Sequence, residues 1–174
     1  MYIYLTDFSW LAGDYEKSGD GTKRYRRMAE LKSVELVFER AKSDLGLNKN
    51  CKIVRDEKGK PHIEGAELYI SISHSQSIAA VALSKKPVGI DIQVLSEENK
   101  KIAERFFSDD EKEIIKNADN KKEAFTAVWT VKEANFKLCG DYRKKCEHML
   151  SLKTDKYVLS AVGENAENAK LFIL

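Results

Sequence analysis

No stretch of this chain approaches the roughly 18–20 consecutive apolar residues that a membrane-spanning helix requires, so a helical membrane protein is excluded. A surplus of charge is missing too. Thirty basic residues face 28 acidic ones for a formal net charge of +2, which leaves no electrostatic footprint for bulk binding to nucleic acid or a membrane surface. Any basic site must be local. Cysteines are few and odd in number: Cys51, Cys139 and Cys146 form no disulfide framework. Cys139 and Cys146 lie near His148, but their spacing fits no zinc template, so ordinary thiols in a reducing compartment are expected. Low-complexity tracts and repeats are absent. The opening MYIYLTDFSW lacks the charged and apolar regions of a signal peptide and alternates like an edge strand. A soluble cytoplasmic protein is expected.

What is present suffices for a globular core. With 43% hydrophobic residues over 174 positions, the chain can bury one domain or two small lobes. Tyr2 to Leu5 reads as a strand, and residues 12–22 as a polar loop. A helix is expected from Lys23 to about Leu45, with Met28, Leu31, Val34, Leu36, Val37, Phe38 and Ala41 forming a broad apolar face and Gly46 ending it. Four strands follow in CKIVRD, ELYISIS, SIAAVALS and VGIDIQV. Two short helices are expected over 99–117, broken at Ser108, whose hydroxyl with Glu111 forms a capping box. A longer helix runs from about Lys121 to Leu138 and stops at Gly140. The tail offers two or three strands around Gly163-Glu164-Asn165. Strands and helices in this order imply an α+β fold rather than a doubly wound sheet.

Four places hold residues whose chemistry exceeds what packing needs. In VWTVKEANFK, helical projection puts Phe125, Trp129, Glu133 and Phe136 on one side, with Lys132 and Lys137 at its edges. Glu133 and Lys137 are either a solvated i, i+4 pair or a carboxylate between aromatics that needs a cation to stay ionised. In VGIDIQV, Asp91 and Gln93 share one strand face, and Gly89 lets a backbone or ligand approach closely. Asp91 is either an exposed edge residue or part of a site. In Ser71-Ile72-Ser73-His74-Ser75, two readings stand: hydroxyls and imidazole binding phosphate, or ordinary turn hydrogen bonds with a surface histidine. Finally Lys23, Arg24, Arg26, Arg27 and Lys32 form a basic cluster, either a solvated helix face or an anion-binding arm. A Ser-His-acid triad is not supported, because no nucleophile elbow or triad order is present.

Taken in order, Gly59-Lys60-Pro61, Ser73-His74-Ser75, Pro87-Val88-Gly89-Ile90-Asp91-Ile92, Arg105-Phe106-Phe107-Ser108 with Glu111, and Trp129 with Lys132-Glu133-Ala134 and Lys137 resemble the 4′-phosphopantetheinyl transferases of the long, two-lobed type. The likeness covers about residues 59–140. It implies a pseudo-twofold pair of α/β lobes, each a long helix on a small antiparallel sheet, divided here as 1–86 and 87–174. It also implies transfer of 4′-phosphopantetheine from coenzyme A to a serine of an apo acyl or peptidyl carrier protein, with Mg²⁺ required and 3′,5′-ADP released.

By that resemblance Asp91 and Glu133 would hold the ion, and Gln93 stands where many relatives carry a glutamate. Glu133 would also take the serine proton, with Asp91 and Lys137 completing the catalytic set. Lys60, Pro61, Ser73, His74, Lys132 and Lys137 would contact coenzyme A, and Arg24, Arg27 and Lys32 its 3′-phosphate. After Lys137 the sequence LCGDYRKK departs from the family's glycine-rich loop. A monomer without nucleic-acid or membrane partners is expected. Two other readings stand beside it: a weakened relative that binds coenzyme A or a carrier without transfer, and a small RNA- or nucleotide-binding module using the basic arm.

Overall fold

The computed structural model describes residues 1–9 and 22–174, with side chains described from Arg27 onward in the second segment. The loop expected over 12–22 therefore falls outside the described residues except at Thr22. The element order is β1 (Tyr2–Asp7), α1 (Thr22–Leu45), β2 (Lys52–Arg55), β3 (Pro61–Glu64), β4 (Tyr69–Ser75), β5 (Ile78–Ser84), β6 (Val88–Val94), α2 (Lys100–Phe106), α3 (Asp109–Asn117), α4 (Lys121–Cys139), β7 (Met149–Lys153), β8 (Tyr157–Gly163), a short 3-10 turn and β9 (Lys170–Ile173). This is the α+β class read from the sequence. The helix breaks also fall where expected: Ser108 and Glu111 form the reciprocal capping box, and Gly140 takes the left-handed conformation at φ 76° that ends α4.

Two sheets face one another and each carries a long helix on its outer side. One sheet has the order β4-β5-β1-β9 and the other β6-β8-β7, while β2 and β3 form a separate hairpin. Ile3, Leu5, Ala80 and Ala82 of the first sheet meet Val88, Ile90, Ile92, Leu159 and Ala161 of the second in one core. On the outer face of the first sheet, Tyr4, Val81 and Leu83 pack against Val37, Phe38 and Ala41 of α1. α4 covers the outer face of the second sheet, where Thr130 and Ser160 share a buried hydrogen bond of 2.9 Å.

Two expectations are corrected. β1 is not an edge strand: it pairs antiparallel with β5 and parallel with β9. Its alternation divides residues between two apolar cores rather than between core and water, so period 2 alone could not distinguish the cases. The strand β9 thus returns the end of the chain to the first sheet. On α1, Met28, Leu31 and Leu36 are exposed, whereas Glu30, Ser33 and Lys42 are buried beside Ala29, Val37, Phe38 and Ala41. The buried stripe includes polar residues because Ser33 bonds back to the Glu30 carbonyl and Lys42 to the carbonyls of Lys49 and Cys51. Ser33 and Lys42 are thereby satisfied.

The feature that positions the site is the approach of α4 to β6. A Cβ added at Gly89 would lie 1.9 Å from the Ala134 carbonyl oxygen and 2.9 Å from the Leu138 nitrogen. Only a residue without a side chain allows this contact, and the clashing atoms are backbone, which cannot rotate away. Gly89→Ala is therefore expected to destabilise the fold by about 3 kcal/mol, the upper end for overpacking, measured by urea unfolding. A stability equal to the parent's would show that the helix does not sit this close.

Candidate active site

Ser71, Ser73 and Ser75 stitch β4 to β6 although these strands belong to different sheets. Their hydroxyls accept hydrogen bonds from the backbone N–H groups of Ile90, Ile92 and Val94 at 3.0, 3.3 and 3.0 Å. The constant offset of nineteen residues, taken in steps of two, makes the strands run the same way side by side. Serine is suited to this seam, since one hydroxyl can replace the missing carbonyl acceptor. The hydrogen-bonding reading of this motif thus describes all three serines. The Ser73 hydroxyl is fully engaged, because it also donates to Asp91 Oδ1 at 2.7 Å.

Asp91 is buried, with only 2% of its surface exposed, so the exposed-edge reading does not hold. A carboxylate in that position needs several partners to remain charged. It has them: Ser73, the amide of Gln93 on Oδ2 at 3.1 Å, and the Lys137 ammonium on Oδ1 at 2.7 Å. Lys137 Nζ also donates to the Ile90 carbonyl at 3.0 Å. The ammonium is thus fixed between strand and helix, not paired along the helix with Glu133 as the i, i+4 spacing allows. Asp91 prevails because it lies within reach of α4 through Gly89.

Glu133 accepts instead from the Tyr142 hydroxyl, at 2.9 Å. Burial raises its carboxyl above the usual range and the charge of Asp91 adds to the rise, while Tyr142 and Lys137 act against it. The charge of Asp91 thus acts on Glu133 across the contact between β6 and α4. Tyr142 was not singled out in the sequence. Its signal was local, an aromatic two residues beyond the helix-ending Gly140, where the left-handed turn sends the chain back over α4. There its ring lies parallel to Phe136 at 4.3 Å and to Trp129 at 5.9 Å, and against Phe106 at 4.6 Å.

Lys132 is corrected from the helix edge to the interior. It is buried, its ammonium pairs with Glu111 Oε2 at 2.9 Å, and it sits 5.8 Å over the Phe107 ring. Glu111 in turn caps the Ser108 N–H at 2.7 Å. The two motifs that flank α3 are thereby joined, and the pair orders the helix start rather than standing open to a ligand.

On the other flank, His74 Nδ1 lies 3.5 Å from Glu30 Oε1 of α1, and Arg27 pairs with the other Glu30 oxygen at 3.3 Å. Along β4, His74 follows Ile70 and Ile72 on the face toward α1, while Ser71, Ser73 and Ser75 face β6. Arg27 and His74 are thus brought together on Glu30. Lys32 lies further along α1 on an exposed pair with Glu35. Lys60 is exposed beside Pro61, in the turn that joins β2 to β3. The Arg24 side chain lies outside the described residues.

Asp91, Glu133 and the Gln93 amide form a donor set of hard oxygens. Among the described residues no group of three His, Cys, Asp or Glu comes together. Carboxylate and amide oxygens of this kind suit Mg²⁺, which takes few protein ligands and completes its shell with water and phosphate oxygens. The residues fit such an ion.

Residues 87–165 match the 4′-phosphopantetheinyl transferase superfamily. The matched segment takes in β6 and α4, and with them Asp91, Glu133 and Lys137. The chain is 37% identical over 95 residues to the 4′-phosphopantetheinyl transferase gsp of Aneurinibacillus migulanus, covering 53% of this chain and 40% of that one. It is 36% identical over 87 residues to a 4′-phosphopantetheinyl transferase of Bacillus subtilis, covering 48% and 39% respectively. It is also 36% identical over 87 residues to the fatty acid synthase subunit alpha of Candida parapsilosis, covering 47% of this chain and 5% of that one. The match therefore takes in about two fifths of the length of the two bacterial relatives.

The Lys132–Glu111 pair gives a test. Burial would raise the Glu111 carboxyl, but the Ser108 N–H and Lys132 outweigh it and hold it below the usual range. A depressed carboxylate contributes stability above its unfolded value, and that contribution is lost as pH falls through the folded one. Lys132→Met should cost about 3–5 kcal/mol at neutral pH, as for other buried pairs broken on one side. The gap to the parent should narrow toward pH 3, followed by denaturant melts. A pH-independent gap would rule out the ion pair as its source.

Proposed function

We propose that this protein transfers 4′-phosphopantetheine from coenzyme A to a serine hydroxyl of an apo acyl or peptidyl carrier protein, as a cytoplasmic enzyme whose site lies between an N-terminal lobe, residues 1–86, and a C-terminal lobe, residues 87–174. The observation that carries the reading is the convergence of Asp91, Glu133 and Lys137 across the contact at Gly89, within the segment that matches the superfamily. No helix among the described residues is long and apolar enough to cross a membrane.

In the reaction, the serine oxygen forms a bond to the phosphorus that carries pantetheine while the bond to the second phosphate breaks, releasing 3′,5′-ADP. Bound at Asp91 and Glu133, with Gln93 as a further oxygen donor, Mg²⁺ would neutralise the diphosphate. Glu133 takes the serine proton. A carboxyl raised by burial and by a neighbouring acid is better suited to that task than an ordinary one. Lys137, held by Asp91 and the Ile90 carbonyl, offers its remaining N–H toward the leaving phosphate. Arg27 and His74, which share Glu30, would receive the other phosphates of coenzyme A, with Arg24, Lys32, Lys60 and Pro61 as further contacts. Ser73 then acts by fixing Asp91, and Lys132 by fixing Glu111, rather than by direct contact.

The test is incubation with Mg²⁺, coenzyme A and a panel of apo carriers from fatty-acid, polyketide and peptide synthesis, read by intact mass. A gain of one phosphopantetheine group on at least one carrier is expected. Tight coenzyme A binding with no gain on any carrier would instead favour a weakened relative. A second test concerns Gln93. Gln93→Glu places a third negative charge beside Asp91, so it should lower the parent's stability without metal and lower the Mg²⁺ concentration giving half-maximal rate. An unchanged or higher requirement would remove Gln93 from the ion's surroundings.

A further inference from the structure

Tyr142 is tied to the site by contacts that no packing requirement explains. It belongs to the segment after α4 that departs from the family's glycine-rich loop. Three separate features hold that segment in place. Gly140 reverses the chain at φ 76°, Asp141 Oδ1 accepts from the Arg143 N–H at 2.9 Å, and the Cys146 N–H donates to Asn135 Oδ1 at 2.9 Å. Between these anchors the tyrosine ring enters a slot of three aromatics. It is parallel to within 10° of Phe136 and 11° of Trp129, and tilted on Phe106. Such stacking fixes the ring plane and leaves the hydroxyl little choice of direction. That direction is Glu133 Oε1, at 2.9 Å.

We propose that Tyr142 is a positioning residue for Glu133: its hydroxyl occupies Oε1 and thereby presents Oε2 as the oxygen that receives the ion or the serine proton. A half-buried glutamate on a helix has three side-chain torsions to lose, and a single carboxylate oxygen fixed from outside the helix removes most of that freedom before substrate arrives. The aromatic slot also replaces water on one side of the carboxylate, which strengthens its hold on a cation. Trp129 and Phe106, two residues of the recognised motifs, thus acquire a shared purpose, since they form the walls that aim Tyr142. Asp91 is held more fully, by Ser73 and Lys137 on Oδ1 and by Gln93 on Oδ2, so both acids are fixed by donors from outside their own side chains. This inference rests on the proposed ion site but not on catalytic turnover.

The experiment compares the parent, Tyr142→Phe and Tyr142→Ala by titration calorimetry with Mn²⁺ in the presence of coenzyme A, by thermal melting, and by the carrier mass assay. Tyr142→Phe keeps the stacking and removes only the hydroxyl. It should melt with the parent yet bind Mn²⁺ about tenfold more weakly, the effect typical of losing a partner behind a metal ligand. Its kcat should fall while its KM for coenzyme A holds. Tyr142→Ala should lose affinity and melting temperature together. If Tyr142→Phe binds Mn²⁺ as the parent does, or loses affinity only in step with its melting temperature, the inference is overturned and the proposed transfer is untouched. If the affinities differ as stated but no carrier gains mass, the transfer reading fails while the role of Tyr142 stands. Absence of Mn²⁺ binding by the parent defeats both.

Discussion

Everything assembled at this site depends on how near a helix can come to a strand. The Ala134 carbonyl of α4 lies where any side chain at position 89 would have to be, so the helix meets bare backbone. That proximity lets the Lys137 ammonium reach past the strand surface to both Asp91 and the Ile90 carbonyl. It also brings Glu133 within electrostatic range of Asp91. A glycine in a strand normally weakens it. Here the loss is offset by a buried network in which an acid with almost no solvent contact has three donors.

The network also explains which polar residues of the motifs are structural in their immediate contacts. Ser71, Ser73 and Ser75 supply the acceptors that a neighbouring strand's carbonyls would have given, so two sheets can share a boundary without unpaired backbone groups. Lys132 and Glu111 join the capping box of α3 to α4 and thereby brace the wall that holds Phe107 and Trp129. Residues that look like ligands in sequence are then one step removed, holding the groups that would touch substrate. Arg27 and His74 differ: both meet Glu30 while keeping part of their surface open.

Much of this was legible beforehand, for identifiable reasons. Helix ends were visible because caps are local chemistry: Ser108 with Glu111, Gly140 and Gly46 need no tertiary context. The shared role expected of Asp91 and Glu133 came from the resemblance alone, whereas Gly89 was legible in itself as a point of close approach. What failed depended on the second face of an element. Tyr2 to Leu5 alternates identically whether its other side meets water or a second core. Met28 and Leu31 suggest an apolar face that the fold leaves in solvent, because Glu30, Ser33 and Lys42 are satisfied inside. Tyr142 was missed because a lone aromatic in a polar loop carries no periodic signal; its partner is set by a chain reversal in space.

The account stands on Asp91 and Glu133 serving one cation rather than two separate ion pairs. Anomalous diffraction from crystals grown with Mn²⁺ and coenzyme A addresses this directly. A single Mn²⁺ peak contacted by oxygens of both carboxylates, with Tyr142 still on the other oxygen of Glu133, is the predicted result. A peak touching only one of them, or lying elsewhere while Lys137 keeps Asp91 to itself, would contradict it.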